Sequence, residues 1–185
     1  MIEDNGIALM RQFILSNKKE IDLALDLTLG KGEDSKFILD QNPKAHVIAF
    51  DIQEKALNLA QEKLKDTDCF QGILDGHENL DKYVKEPVDL CMMNLGYLPG
   101  GNKEIITKAK TTCQALEKAL KLLKEEGLCT ILAYRSHPGA KEEVEAVEDF
   151  LKALDQREFI VQRIEFYNQI HEPPIFFGIQ KRKKK

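Results

Sequence analysis

The sequence predicts an α/β fold built on a doubly wound, mostly parallel β-sheet. Short apolar segments alternate with helical segments along most of the chain, which is the pattern of repeated β-α units. The segment Val88–Leu95 is almost entirely apolar, as expected of a strand in a sheet covered on both faces. Two strands near the C-terminus are joined without room for a helix, so they should pair antiparallel as a terminal hairpin.

The first half of the chain supplies an opening helix and three β-α units. Residues Asp4–Ser16 carry apolar side chains mostly at helical spacing, which predicts an amphipathic helix. Each unit that follows is a short apolar run and then a helical pattern. The predicted elements are strands Asp22–Leu27, Ala45–Phe50 and Cys69–Leu74 and helices Asp34–Asp40, Glu54–Leu64 and Glu78–Tyr83.

The second half continues the alternation as far as the hairpin. A long helix from about Lys108 to Glu125 should stop at Gly127, because glycine readily adopts the conformation that ends helices. The other predicted elements are strand Leu128–Tyr134, helix Lys141–Leu154 and the hairpin strands Glu158–Tyr167 and Ile175–Gln180. No linker or internal repeat divides the chain, so we expect one domain over residues 1–185, with an N-terminal helix in 1–20 and a basic tail at 181–185.

Composition excludes several classes of protein. The net charge is −4 and 43% of residues are hydrophobic, which is unlike a broadly basic nucleic-acid-binding protein. The basic residues 181–185 are either a solvated tail or a contact with a phosphate backbone. The four cysteines show no C-x-x-C pairing, which predicts free thiols and no metal site. No secretion signal or long apolar run is present, so we expect no membrane association and a cytoplasmic location.

The turn after the first predicted strand carries the first binding motif. In a doubly wound sheet, ligands bind beyond the carboxyl ends of the strands. The turn D-L-T-L-G-K-G contains Gly30 and Gly32, which allow a ligand to approach the main chain. Asp51 ends the second predicted strand, where a carboxylate can accept both hydroxyls of an adenosine ribose. The turn and the acid together predict an adenosine-containing ligand.

Two cofactors fit such a site, a dinucleotide and S-adenosylmethionine. The third glycine position of a dinucleotide-binding G-x-G-x-x-G motif holds Ser35 here. The acids Asp26, Glu33 and Asp34 would oppose a pyrophosphate but suit an amino group or a sulfonium cation. The charge therefore favours S-adenosylmethionine over NAD. Either Asp26 or Asp34 could instead simply cap the turn or the helix.

The adenine is expected near Asp75-Gly76-His77-Glu78, after the third strand. An acid or a backbone amide in this segment, such as that of Gly76, could read the adenine amino group. His77 is either a cofactor contact or a cap at the start of a helix.

The motif N-L-G-Y-L-P-G-G follows the fourth strand and is expected to face the methyl donor. Asn94 and Tyr97 can orient an acceptor amine with its lone pair aimed at the methyl carbon; the alternative is a structural turn. A pyrimidine ring carbon would need a cysteine nucleophile, and Cys91 lies mid-strand, so an amine or hydroxyl acceptor is favoured. After the fifth strand, His137 is either the base that removes a proton or part of a turn.

These motifs together resemble one bacterial family, the putative rRNA methylases. The resemblance rests on D-L-T-L-G-K-G, F-D-I-Q, D-G-H-E, N-L-G-Y-L-P-G-G, Y-R-S-H-P-G and the late N-Q and P-P pairs, and it runs from the first strand nearly to the C-terminus. The sequence departs from the family at Lys31, where asparagine is frequent, and at Pro138, where glycine is common.

The resemblance implies a Rossmann-like class I methyltransferase fold with seven strands, and S-adenosylmethionine as the donor. It also implies methylation of the aminomethyl group of 5-aminomethyl-2-thiouridine at the tRNA wobble position. Cofactor contacts carry over to Thr28, Lys31, Asp34, Asp51, Gln53 and His77, and substrate-side roles carry over to Asn94, Tyr97 and His137. Our cofactor set is Asp26, Thr28, Gly30, Lys31, Gly32, Asp34, Asp51, Gln53, Gly76, His77 and Asn94.

Several alternatives to the tRNA substrate remain open at this point. The acceptor could be rRNA or a small-molecule amine, since the chain is acidic overall and carries no appended RNA-binding domain. An NAD-binding oxidoreductase and a non-catalytic nucleoside sensor are the other classes. A homodimer could build a tRNA-binding surface that one small domain lacks.

Overall fold

The computed structural model describes residues 3–96, 100 and 106–184. Its seven strands form one sheet in the order β3-β2-β1-β4-β5-β7-β6. The strands are β1 Leu23–Asp26, β2 His46–Asp51, β3 Phe70–Leu74, β4 Val88–Leu95, β5 Leu123–Ala133, β6 Phe159–Ile164 and β7 Ile175–Lys181. The helices are α1 Gly6–Asn17, α2 Glu33–Gln41, α3 Glu54–Lys63, α4 Ala109–Leu122 and α5 Ala140–Lys152, and a 3-10 helix covers His77–Lys82.

The sheet is doubly wound, as the sequence predicts. Strand β1 pairs parallel with β2 on one side and with β4 on the other, so the direction of winding reverses between β1 and β4. Strand β7 pairs antiparallel with both β5 and β6, which confirms the predicted hairpin. The carboxyl ends of β1 and β4 therefore meet at the topological switch point, where such sheets bind their ligands.

Helices cover both faces of the sheet, and successive strand residues point to opposite faces. On β4, Cys91 and Met93 join the core under α4 and α5, whereas Leu90 and Met92 join the core under α1 and α2. This period of two explains why apolar residues fall on both faces of the strand and make up six of its eight positions.

Helix α1 packs against β5 and β7. Asn5 caps the helix by accepting a hydrogen bond from Ala8 N at 2.9 Å. The Phe13 ring packs edge-on against Phe176 of β7, with ring centroids 5.1 Å apart. A side chain at Gly178 would lie 2.4 Å from Phe13 Cζ, so the glycine makes room for this ring.

The boundary between α4 and β5 differs from the sequence prediction. The helix ends at Leu122, and β5 already begins at Leu123, which pairs with Val88. The prediction that Gly127 stops the helix is wrong: Gly127 lies within β5, beside a shift in strand register. Glu126 has a φ of 61°, and a side chain at Gly127 would lie 2.8 Å from the Lys124 carbonyl oxygen. Strand pairing and the room offered by glycine here outweigh helix propensity.

Two further boundaries also moved. The strand predicted to reach Tyr167 ends at Ile164, and Tyr167 is 99% exposed in the loop that follows. The basic segment predicted as a tail begins inside β7, where Lys181 Nζ donates to the Leu123 carbonyl oxygen at 2.8 Å. Because β7 is antiparallel to β5, this segment leaves the sheet at the edge opposite the carboxyl ends of β1 and β4.

Within the described ranges, no helix is both long and apolar enough to cross a membrane. The same residues contain no group of three or more His, Cys, Asp or Glu side chains placed to hold a metal ion.

Candidate functional site

A cavity of about 710 Å³ lies over the topological switch point. Its walls are the turn after β1 and the segments that follow β2, β3, β4 and β5. The predicted site residues among its lining are Thr28, Gly30, Lys31, Asp34, Asp51, Gln53, Gly76, His77, Asn94 and His137. Residues from five different strand ends therefore converge on one volume, large enough for a nucleoside-sized ligand.

Asp51 joins the turn after β1 to the end of β2. One carboxylate oxygen accepts a hydrogen bond from Gly30 N at 2.9 Å, and the other accepts one from Gln53 N at 2.9 Å. Burial raises the pKa of Asp51, while these backbone amides act in the opposite direction. Each oxygen retains a second lone pair, so the carboxylate can still accept the hydroxyls of a ribose.

Asp26 and Gly32 lie outside the lining of the cavity. Asp26 is 2% exposed and accepts hydrogen bonds from Ser35 Oγ at 2.7 Å and from Thr28 N at 3.2 Å. Burial, followed by the nearby charge of Asp34, raises the pKa of Asp26 to about 7. This geometry matches the alternative interpretation, in which Asp26 holds the turn against α2 rather than touching the cofactor.

Gly32 has a packing role in the structure. Its φ of 75° is in the left-handed region that favours glycine, and it is the N-cap of α2. A side chain on Gly32 would lie 2.9 Å from the Cβ of Ala60 in α3. The second glycine of the turn thus allows α2 and α3 to pack closely.

The segment after β3 forms the wall where adenine was expected. His77 Nδ1 lies 2.9 Å from the Leu27 carbonyl oxygen, which can only accept, so Nδ1 carries the proton. Asp75 accepts a hydrogen bond from Tyr83 Oη at 2.8 Å, which is the largest factor lowering its pKa. A side chain at Gly76 would collide with the Glu78 carboxylate. The wall is thus held rigidly by its own side chains.

Asn94 stands at the end of β4, where its backbone N and its side-chain Nδ2 both donate hydrogen bonds. Its backbone N donates to Thr28 Oγ1 at 2.7 Å, which ties β4 to the turn after β1. Its side-chain Nδ2 donates to Asp34 Oδ2. Asn94 Oδ1 is buried, and no donor reaches it from the part of the chain that the structure describes. A buried acceptor without a donor costs roughly 1–3 kcal/mol, so this atom is suited to a ligand N–H or O–H.

Asp34, at the start of α2, is engaged on both oxygens. Oδ1 accepts from Arg11 Nη2 at 2.8 Å and from Arg11 Nε at 3.2 Å, while Oδ2 faces Asn94. The Arg11 guanidinium also lies 4.9 Å from the centre of the Phe37 ring. Arg11 was not among the residues predicted from the sequence, because the pattern of the opening helix is only amphipathic.

His137 and Tyr97 complete the predicted substrate side. His137 is 9% exposed, and its Nδ1 lies 3.0 Å from the Pro138 carbonyl oxygen, so Nε2 is the basic nitrogen of the neutral ring. The Cδ2 and Nε2 atoms of His137 lie 3.8 Å from where a side chain on Gly96 would be, which places the ring beside the exit of β4. Tyr97 lies outside the described residues.

A second buried acid supports the segment after β4. Glu143 of α5 is 2% exposed and accepts hydrogen bonds from Thr107 Oγ1 at 2.7 Å and from Thr112 Oγ1 at 2.6 Å. Thr107 Oγ1 in turn accepts from Gly96 N at 2.9 Å, and Thr107 N donates to the Gly96 carbonyl oxygen at 3.0 Å. These bonds close the base of the loop that runs from Gly96 to Thr107. Glu143 was not predicted from the sequence. An acid at an inward position of an apolar helix face is the signal that could have identified it.

Comparison with known proteins gives one family match. The profile of the family described as "Putative rRNA methylase" matches residues 47–180. A curated relative from Arabidopsis thaliana, "tRNA (mnm(5)s(2)U34)-methyltransferase, chloroplastic", is 34% identical over 170 residues. That alignment covers 84% of this chain and 62% of the relative, so the chain spans less than two thirds of that protein.

Solved structures give the same picture at higher identity. A putative rRNA-methylase from Clostridium thermocellum is 41% identical with a TM-score of 0.93, covering 98% of this chain and 100% of the other. A putative methyltransferase from Streptococcus mutans, crystallised with S-adenosylhomocysteine, is 38% identical with a TM-score of 0.89, covering 98% and 99%. A putative caffeoyl-CoA O-methyltransferase from Staphylococcus aureus, at 13% identity and a TM-score of 0.69, shares the fold.

Proposed function

The chain belongs to the putative rRNA methylase family, and from this premise we propose that it is an S-adenosylmethionine-dependent methyltransferase that modifies RNA. We propose that the specific substrate is tRNA, and that the methyl group is added to the aminomethyl group of 5-aminomethyl-2-thiouridine in the wobble position. The similarity to the Arabidopsis tRNA methyltransferase supports this choice of RNA. The group that receives the methyl in this substrate is an amine, which is one of the two acceptor types that the sequence after β4 favours.

The cavity suits the cofactor in its chemistry. Asp51 offers carboxylate lone pairs to a ribose, and the turn containing Gly30 brings main chain to the cavity wall. The acids in the lining outnumber the lysines, which favours a cation over a pyrophosphate. The S-adenosylhomocysteine complex of the Streptococcus mutans protein supports the same cofactor. When bound, S-adenosylmethionine supplies a methyl group made electrophilic by its sulfonium.

The observation that carries the proposal is the buried Asn94 Oδ1 at the reacting edge, which no donor among the described residues reaches. A neutral primary amine can donate one N–H to this oxygen and keep its lone pair free for the methyl carbon. Asn94 thereby positions the nucleophile, and no covalent step on the enzyme is needed. The product amine is protonated as the new bond forms, and His137 Nε2 is our proposed acceptor of the released proton.

The direct test is methyl transfer to tRNA that carries the unmethylated aminomethyl group. Purified protein should add one methyl group to the wobble nucleoside, as detected by mass spectrometry of the digested tRNA. Asn94→Ala should lower turnover about 100-fold, the loss expected when an aligning hydrogen bond is removed. Full turnover by Asn94→Ala would refute the role of this residue.

Separate measurements address the alternatives. If tRNA stays unmodified while a base in rRNA gains a methyl group, the substrate is rRNA. Calorimetry should detect S-adenosylhomocysteine and not NAD, and the reverse result would favour an oxidoreductase. Dimerisation remains a prediction that sedimentation velocity can test.

A further inference from the structure

We propose that Arg11 and Asp34 are positioning residues that fix the orientation of the Asn94 amide, and that this orientation selects acceptors that donate a hydrogen bond. The inference rests on the proposed methyl transfer. It assigns to Asp34 a task different from the cofactor contact that the sequence predicts, and to Arg11 a task where the sequence predicted none.

The three side chains form a continuous chain of charge-assisted hydrogen bonds. Arg11 holds Asp34 Oδ1 through two nitrogens, at 2.8 and 3.2 Å. Arg11 is itself fixed by a bond from Nη2 to the Glu33 carbonyl oxygen at 3.1 Å and by the Phe37 ring. Asp34 is 7% exposed, and its second oxygen accepts from Asn94 Nδ2. The Asp34 carboxylate at the centre of the chain is largely shielded from solvent, with 9% of its side chain exposed against 31% for Arg11, and this shielding strengthens its hydrogen bonds.

The chemistry of these groups leaves the amide a single orientation. A guanidinium can only donate, and a carboxylate paired with it can only accept. Asn94 must therefore present its NH₂ group to Asp34, which leaves Oδ1 for the substrate. Without the carboxylate, the amide could rotate by 180° and present Nδ2 instead.

The orientation matters because the two amide atoms act on an amine in opposite ways. Oδ1 accepts an N–H and leaves the nitrogen lone pair free to attack. A rotated amide would donate from Nδ2 into that lone pair and occupy the electrons that form the new bond to carbon. The chain of hydrogen bonds from Arg11 through Asp34 to Asn94, called the relay below, thus favours primary and secondary amines and hydroxyls. It disfavours acceptors without a hydrogen to donate, such as tertiary amines.

The experiment compares Arg11→Met, Arg11→Lys, Asp34→Asn and the double variant Arg11→Met/Asp34→Asn on the tRNA substrate. We expect kcat to fall roughly 10- to 100-fold in Arg11→Met, the size expected for losing charge-assisted bonds, with KM for tRNA and the Kd of S-adenosylhomocysteine changing less than about 3-fold. Arg11→Lys should recover part of kcat, because lysine supplies the charge but not the two-point contact. The double variant should be no slower than Asp34→Asn, since Arg11 acts through Asp34.

Lys36→Met is the matched control, because it removes a cation on α2 whose ion pair with Asp40 is exposed. Its kinetic constants should equal those of the wild type. The proposal is overturned if Arg11→Met keeps its kcat, or if the losses in Arg11→Met and Asp34→Asn simply multiply in the double variant.

A second readout does not depend on turnover. The side-chain amide protons of Asn94, identified in NMR spectra by their absence in Asn94→Ala, should exchange slowly in the wild type and quickly in Arg11→Met and Asp34→Asn. Unchanged exchange would overturn the relay even in folded variants. If the wild type binds S-adenosylhomocysteine and methylates no tRNA, the proposed substrate fails, while the exchange measurement still decides the relay.

Discussion

The buried carboxyl of Asp26 should make the stability of the protein depend on pH in a way that one substitution removes. Its pKa in the folded protein is about 7, against an ordinary value of 3.8. A folded-state pKa above that of the unfolded chain means that the folded state holds the proton more tightly. The resulting stabilisation is complete below about pH 4 and is lost as the pH rises towards 7.

The magnitude follows from the difference between the two pKa values. A difference of about 3 pKa units lowers the free energy of unfolding by roughly 4 kcal/mol at pH values above both pKa values, relative to low pH. Between the two pKa values this loss amounts to up to about 1.4 kcal/mol per pH unit. Asp26→Asn cannot ionise, and its amide oxygen can still accept from Thr28 N. We therefore expect Asp26→Asn to be more stable than the wild type by roughly 2–4 kcal/mol at pH 8, and by much less at pH 4.5.

Urea denaturation at about pH 4.5, 5.5, 6.5 and 8 measures this difference, because subtracting the free energies of the two proteins cancels the titration of the other groups. A second variant sharpens the test. Ser35→Ala removes a hydroxyl that stabilises the ionised form of Asp26, so the loss of stability should extend to higher pH. The reasoning is refuted if the wild type and Asp26→Asn differ by the same free energy at every pH.

Three other substitutions test the site and its supports. Asp51→Ala should weaken binding of S-adenosylhomocysteine roughly 100-fold in calorimetry, because two charge-assisted hydrogen bonds are lost; an unchanged Kd would remove Asp51 from the cofactor site. Gly32→Ala should cost roughly 2–4 kcal/mol of unfolding free energy through backbone strain and overpacking, and in an Ala60→Gly background the added cost should shrink; additivity within about 0.5 kcal/mol would contradict the close contact. Thr107→Val should lower the free energy of unfolding by roughly 1–3 kcal/mol and should also lower kcat, because the Gly96 amide loses its acceptor. Thr107→Ser keeps the hydroxyl and should retain both. A fully active Thr107→Val would contradict the role of this bond in holding the loop.

The sequence carried enough information for the fold because the signal is repeated in every β-α unit. Strand β4 was predicted at its observed boundaries, since a segment with six apolar residues out of eight and no glycine or proline has few alternatives to a buried central strand. The start of β5 was not predictable in the same way. Residues Leu123–Gly127 continue the pattern of the preceding helix, and only pairing with Val88 decides their conformation.

For the candidate site, sequence position identified the residues at strand ends but not their partners. Thr28, Asp51 and Asn94 line the cavity because the topology brings strand ends together. Asp26 and Gly32 come from the same turn and yet lie outside the lining of the cavity, a distinction that depends on the path of the backbone. Arg11 was missed because its contact with Asp34 spans the packing of two helices and has no local pattern.

The packing of α1 against β7 also bears on the order in which parts of the protein can fold during synthesis. Helix α1 is made before the sheet, but the surface that holds it includes Phe176 and the space at Gly178 on β7, which are made after strands β1 to β6. A contact between such distant parts of the chain forms late, after the intervening strands have paired. The turn after β1 is therefore made well before α1 can dock and bring Arg11 to Asp34. Until β7 has been made, α1 lacks the Phe176 ring against which Phe13 packs, so the contact of Arg11 with Asp34 is not yet fixed.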